Sequence, residues 1–232
     1  MMRTRFQLGL DELKERLLEM GGMAEAAIEL AADSYRKRDG RLAQQVFERE
    51  KMINQSERVI DEMAVDLLAM QQTMATDLRF VLAVLKINSD LERVGDLAVN
   101  IAQRSLDLVQ EPEVEIPVDI ARMTTAVSTM VRRALESFLS AKSDVAQAVL
   151  EMDNIVDRMK DEAFINLVAQ MKNNPDKVRA YLDVLLITRS LERIADHATN
   201  IAEDVIFWVS GADVRHNVRY SQEPDSDAPR GH

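Results

Sequence analysis

The chain has 232 residues, 47% hydrophobic and 30% charged, with a formal net charge of −11 and no Cys. That length accommodates one large domain or two small ones. The acidity argues against nucleic-acid binding, which needs a basic face, and the missing thiols exclude a disulfide framework, a thiolate nucleophile and a zinc–thiolate site. The first ten residues mix Arg3 and Arg5 with Phe6 rather than forming an apolar run, and no later stretch approaches the ~18 consecutive apolar residues of a membrane span. The expected compartment is the cytoplasm.

With only 7 Gly and 5 Pro, and with Ala, Leu, Met, Glu and Arg abundant, the composition favours long helices and few turns. Six are expected. The first runs from Phe6 to Lys37, with a possible bend at Gly21-Gly22 and an end at Asp39-Gly40. The second runs from Leu42 to Gln71, with Val46, Ile53, Ile60, Leu67 and Leu68 on one face; the third runs from Asp77 to Val109, with Thr76 as N-cap. Glu111 to Pro117 holds two prolines and reads as the linker between two halves. The fourth helix spans Val118 to Lys142 and the fifth Asp144 to Lys172. After the turn at Asn173-Asn174-Pro175, the sixth spans Asp176 to Val209 and stops at Gly211. The domain expectation is therefore 1–110, a linker at 111–117, 118–210, and a polar, disordered tail at 211–232.

An internal repeat supports the division. Leu91-Glu-Arg-Val-Gly-Asp-Leu-Ala-Val-Asn-Ile-Ala102 returns as Leu191-Glu-Arg-Ile-Ala-Asp-His-Ala-Thr-Asn-Ile-Ala202, shifted by 100 positions. The same shift pairs Arg79, Leu82, Leu85 and Ile87 with Arg179, Leu182, Leu185 and Ile187, and Arg58-x-x-Asp61-Glu62 with Arg158-x-x-Asp161-Glu162. Helices share Leu and Ala by chance, but not Glu, Arg, Asp and Asn in fixed register. The fold class read from this is all-α: two tandem, sequence-related three-helix units.

Each repeat carries a carboxylate pair, Glu92 with Asp96 and Glu192 with Asp196, spaced to share one helix face. If the preceding helix folds back antiparallel, the pair in the first half faces the neighbourhood of Glu50, Asn54 and Glu57, and the pair in the second half faces Asp153 and Asp157. So many carboxylates together must protonate in part, pair with Arg, or share cations. An all-oxygen set suits Mg²⁺, Mn²⁺ or iron better than zinc or copper. The plain alternative is a solvated acidic face neutralised by Arg58 or Arg158. Asn100 and Asn200, on the same faces, read either as outer donors around an ion or as helix-packing groups. His197, matched by Leu97, reads as structural. A carboxylate-bridged di-iron bundle would need Glu-x-x-His pairs. None of His197, His216 and His232 follows a Glu at that spacing. No nucleotide-binding Gly-rich loop occurs either, so no catalytic residues are assigned.

The doubled Leu-Glu-Arg-x-x-Asp motif, with Glu19-Met-Gly-Gly22 and Met70-Gln-Gln-Thr-Met-Ala-Thr-Asp-Leu-Arg79, resembles the PhoU family of bacterial phosphate-signalling regulators. The resemblance covers Arg5 to Gly211. It implies two three-helix bundles side by side, a homodimer, and metal (Mg, Mn, Fe or Zn) on Glu/Asp-x-x-x-Asp faces. It further implies a non-enzymatic role restraining the phosphate-starvation response through a membrane sensor histidine kinase and the phosphate importer's ATPase, with the membrane met through these partners only. Carried over by position, the metal residues are Glu50, Asn54, Glu92 and Asp96, then Asp153, Asp157, Glu192 and Asp196. Asn54 stands where the family implies Asp, so the first set is expected to hold metal less strongly. Gln71-Gln-Thr at the turn departs slightly from the family's Gln-Pro-Val.

Overall fold

A computed structural model describes residues 2–70 and 75–211. Among the described residues six helices form: α1 (Met2–Lys37), α2 (Gly40–Met70), α3 (Ala75–Gln110), α4 (Ile120–Ser140), α5 (Ser143–Asn173) and α6 (Val178–Ser210), the last preceded by a 3₁₀ turn at Pro175–Lys177. No strand occurs among the described residues. The expected turn at 71–74 and the tail at 212–232 lie outside them.

Local chemistry sets most of the ends. After α1, Arg38 takes a left-handed backbone (φ 50°), and Asp39 then caps α2, its carboxylate accepting from the Arg41 N–H at 2.9 Å. Gly211, at φ 73°, closes α6 in the conformation that glycine adopts without cost. Three expected ends move. The fourth helix begins at Ile120 rather than Val118, because Asp119 accepts from the Arg122 N–H at 2.9 Å, and it stops at Ser140, where Ala141 turns left-handed. Thr76 lies inside α3 rather than capping it.

Burial shows which helix sits where. α1 buries Leu13, Leu17, Met20, Ala24, Ala27, Ile28 and Ala31 along one stripe. α2 and α5 bury narrow stripes (Val46, Ile53, Ile60, Leu67; Val149, Val156, Ala163), as flanking helices do. α3 and α6 are buried on several sides at once. The packing follows: α1, α2 and α3 form one bundle and α4, α5 and α6 the other, joined through α3 against α6 and α1 against α4. Lys86 to Asp204 at 3.0 Å and Arg104 to Asp183 at 3.3 Å tie opposite ends of α3 and α6, so the two helices run antiparallel about a pseudo-dyad. Phe80, Phe138 and Trp208, with ring centroids 5.1 to 5.8 Å apart, fill one end of this interface.

The repeat register is not uniform. Residues 91–102 and 191–202 match in burial except at Leu97 and His197, which keeps the expected shift for α3 and α6. In α2 and α5, however, buried Val46, Ile53, Ile60 and Ala64 correspond to Val149, Val156, Ala163 and Leu167, three residues further along. The expected match of Arg58-x-x-Asp61-Glu62 with Arg158-x-x-Asp161-Glu162 therefore fails in space. Core packing fixes the helix rotation, and the three residues are taken up at the start of α3, which begins at Ala75 while α6 begins only at Val178, after the 3₁₀ turn at Pro175–Lys177. At Gly21-Gly22 the helix is not interrupted: α1 is continuous from Met2 to Lys37. A Cβ on Gly21 would lie 2.6 Å from a Leu135 methyl, so this glycine serves the approach of α1 to α4.

Candidate functional site

The acid pairs sit midway along α3 and α6, where each runs against its flanking helix. Leu91, Val94 and Gly95 are buried on either side of Glu92, as Leu191, Ile194 and Ala195 are beside Glu192. Gly95 matters to the geometry, because a Cβ there would meet Ile53 of α2 at 3.1 Å. The second half carries the opposite arrangement, Ala195 at the level of the smaller Val156, both fully buried. One methyl group fewer on the flanking helix is matched by one more on the helix it packs against.

In the first half the structure brings together Glu50, Asn54 and Glu57 of α2 with Glu92 and Asp96 of α3. Burial raises the Glu92 carboxyl above its usual range, and Asp96, Glu57 and Glu50 push it further the same way. Glu57 is raised by burial, by Asp61 and by Asp96, with Arg58 and Arg93 opposing. No Lys or Arg makes an ion pair with Glu50, Glu57, Glu92 or Asp96 among the described residues; the neutralising contact expected of Arg58 is not made. The Asn54 amide donates to Glu50, and its oxygen is buried without a partner. Asn88, wholly buried, braces the set from below, donating to the Glu57 carbonyl at 3.0 Å and to Asp61 at 2.9 Å.

In the second half Asp153 and Asp157 of α5 meet Glu192 and Asp196 of α6. Burial raises Asp153, and the charges of Asp157, Asp196 and Glu192 push it further; burial likewise raises Asp196, with the charges of Glu192 and Asp157 adding to it. Here a cation stands inside the set. The Lys160 ammonium donates to Glu192 at 3.0 Å and to Asp157 at 3.4 Å, with Asp161 at 3.9 Å. The bond to Glu192 holds Lys160 above its usual value. In the register set by the α2 and α5 cores, Lys160 occupies the place of Glu57. The sequence reading passed over it because the uniform shift matched it with Ile60.

The outer residues resolve differently. Asn200 donates to Asp90 of α3 at 3.3 Å, and His197 donates through Nδ1 to the same carboxylate at 2.8 Å, so both tie the bundles together. Asn200 thus makes a helix-packing contact; Asn100 is exposed.

Hard oxygen donors and like charge without a direct ion pair suit a cation in the first half, and the orphaned Asn54 oxygen is a further donor for one. As the side chains stand, no three His, Cys, Asp or Glu groups converge on one point among the described residues, so an ion would have to draw the carboxylates inward. Nothing in either set assembles a nucleophile with a base.

The model of the PhoU domain matches residues 17–105 and 120–205. A phosphate-specific transport system accessory protein PhoU homolog of Pseudomonas putida is 41% identical over 213 residues, covering 91% of this chain and 83% of that protein. The crystal structure of PhoU from Pseudomonas aeruginosa superposes with a TM-score of 0.86 at 39% identity, covering 89% of this chain and all of that one. The phosphate transport system regulatory protein PhoU from Streptococcus pneumoniae gives 0.82 at 27% identity, covering 90% of this chain and 99% of that one.

Proposed function

The chain belongs to the PhoU family, and from that premise we propose that it is a cytoplasmic negative regulator of the phosphate-starvation response and a modulator of phosphate uptake. It acts by binding, as a homodimer, to a membrane sensor histidine kinase and to the ATPase of the phosphate importer. The observation that carries this reading is the double match: both halves carry the family's domain, and relatives named as accessory proteins of phosphate transport align over nine-tenths of the chain. The chemistry is consistent with it. The acid sets hold no nucleophile and base pair, so output passes through contacts rather than turnover. No helix among the described residues is long and apolar enough to cross a membrane, so the reading brings the chain to the membrane through its partners. An acidic surface suits basic patches on cytoplasmic domains.

The reading includes a divalent metal or iron on the acidic faces, held in the first half by Glu50, Glu92 and Asp96 with Asn54 and Glu57. Bound there, the ion offsets the repulsion that raises Glu57 and Glu92 and fixes α2 against α3.

Deletion of the gene tests the signalling role. Starvation genes should switch on in phosphate-rich medium, and removing the kinase as well should restore repression. A deletion strain with normally repressed genes would overturn the reading.

A further inference from the structure

We infer that Lys160 is the resident cation of the second acid set, so that divalent metal loads the first half of the chain and is kept out of the second by a lysine built into the helix. The inference rests on the reading of the first set as a metal site, and it parts from the symmetrical pair of sites that the repeat implies.

Three observations carry it. The Lys160 ammonium stands at the junction of α5 and α6, on Glu192 at 3.0 Å and Asp157 at 3.4 Å, one carboxylate from each helix. These are two of the four residues that a bound ion would need, and the ammonium already engages one oxygen of each. The lysine is also part-buried, 31% exposed with Glu192 at 19%, so the pair is less screened than a surface contact. Finally, the core register makes Glu57 its counterpart, an acid in place of a base. The first set therefore carries Glu50, Glu57, Glu92 and Asp96 with no internal cation. The second carries Asp153, Asp157, Glu192 and Asp196 around one.

A tethered ammonium is hard to displace. It is held at high effective concentration by its own helix, whereas a metal ion must bind from dilute solution and shed water first. One positive charge on a flexible stem leaves Asp153 and Asp196 raised, yet it removes the vacancy between the helices that a divalent ion would fill. Only one of two homologous faces then responds to metal, and the second stays locked whatever the supply.

Mn²⁺ is the probe, read as bound metal per chain by equilibrium dialysis with elemental analysis and by the paramagnetic signal of the bound ion. In the wild type, E92Q/D96N should abolish binding and E192Q/D196N should leave it unchanged. K160M, and K160E, which copies the first half, should raise bound Mn²⁺ about twofold, and adding E192Q to either should remove the gain. Circular dichroism establishes that each variant is folded. Loss of Mn²⁺ from the wild type on E192Q/D196N would overturn the inference, as would folded K160M and K160E proteins that bind no more than the wild type. A wild type that binds no Mn²⁺, with K160M and K160E gaining an ion that E192Q removes, would uphold the lysine block while sinking the first-half metal reading.

Discussion

The two acid sets began as one site and have met the same electrostatic problem by different means. In the first half, carboxylates from α2 and α3 face one another with an amide and a glutamate, Asn54 and Glu57, where the second half has Asp157 and Lys160. The second half supplies its counter-ion covalently. The first relies on burial-driven proton retention or on a cation from solution. Asn54 taken alone suggests that the first half is the weaker metal site. The proposed lysine block reverses that ranking, because one missing carboxylate matters less than a lysine already seated on two of its partners.

The bracing beneath the sets should show the largest difference. Asn88 crosses from α3 to α2, whereas its counterpart Thr188 turns its hydroxyl back on its own helix, donating to the Leu185 carbonyl at 2.8 Å. Asn88→Ala strips a buried donor from Glu57 and Asp61 and should cost about 2–3 kcal/mol in chemical denaturation; Thr188→Ala should cost about 1. Equal costs would show that the two halves are braced alike.

Exchanging the counter-ions comes next. In metal-free buffer Lys160→Met leaves Glu192 and Asp157 unpaired and should cost about 1 kcal/mol, discounted for partial exposure. Glu57→Lys, which gives the first half the cation it lacks, should stabilise by about 0.5–1 kcal/mol. Thermal melts of both, with and without Mn²⁺, check the pair; destabilisation by Glu57→Lys would break the comparison.

The pH response is smaller and has a definite sign. Glu57, Glu92, Asp153 and Asp196 lie above their ordinary values, first through burial and then through neighbouring carboxylates. Between the ordinary carboxylate range, about 4, and the raised values, the folded chain holds more protons than the unfolded one. This contribution therefore falls as pH rises through that window and is flat above it. Urea melts of metal-free protein across the window should show the decline, and Lys160→Met should steepen it. A contribution that rises with pH would contradict the arrangement.

The finest test is the methyl exchange. Gly95→Ala meets Ile53 at 3.1 Å, and trimming that neighbour with Ile53→Val reproduces the Ala–Val pairing of the second half. The double variant should exceed the sum of the singles by about 0.5 kcal/mol. Additive effects would mean that α2 simply shifts to make room.

How much was legible depended on what each property needs. The number of helices, the break at Glu111–Pro117 and the stop at Gly211 were readable because periodicity, proline and glycine act over a few residues. The pairing of Glu92/Asp96 with Glu192/Asp196 was readable because a repeated motif preserves itself in the chain, and the family was readable from the same motif. The register of α2 against α5 was not. It is set by which residues reach the core, and three residues taken up at the start of α3 leave no mark in a constant-shift alignment. Lys160, Asn88 and the His197–Asp90–Asn200 contact were hidden for the same reason, since each gains its role from a residue on another helix. The sequence alone thus determined an all-α duplicated chain with acid pairs on its third and sixth helices, because those properties live within one helical turn of each residue. Only the tertiary structure decided that one acid set contains its own lysine and the other has no ion-paired cation, because charge compensation across two helices is fixed by packing.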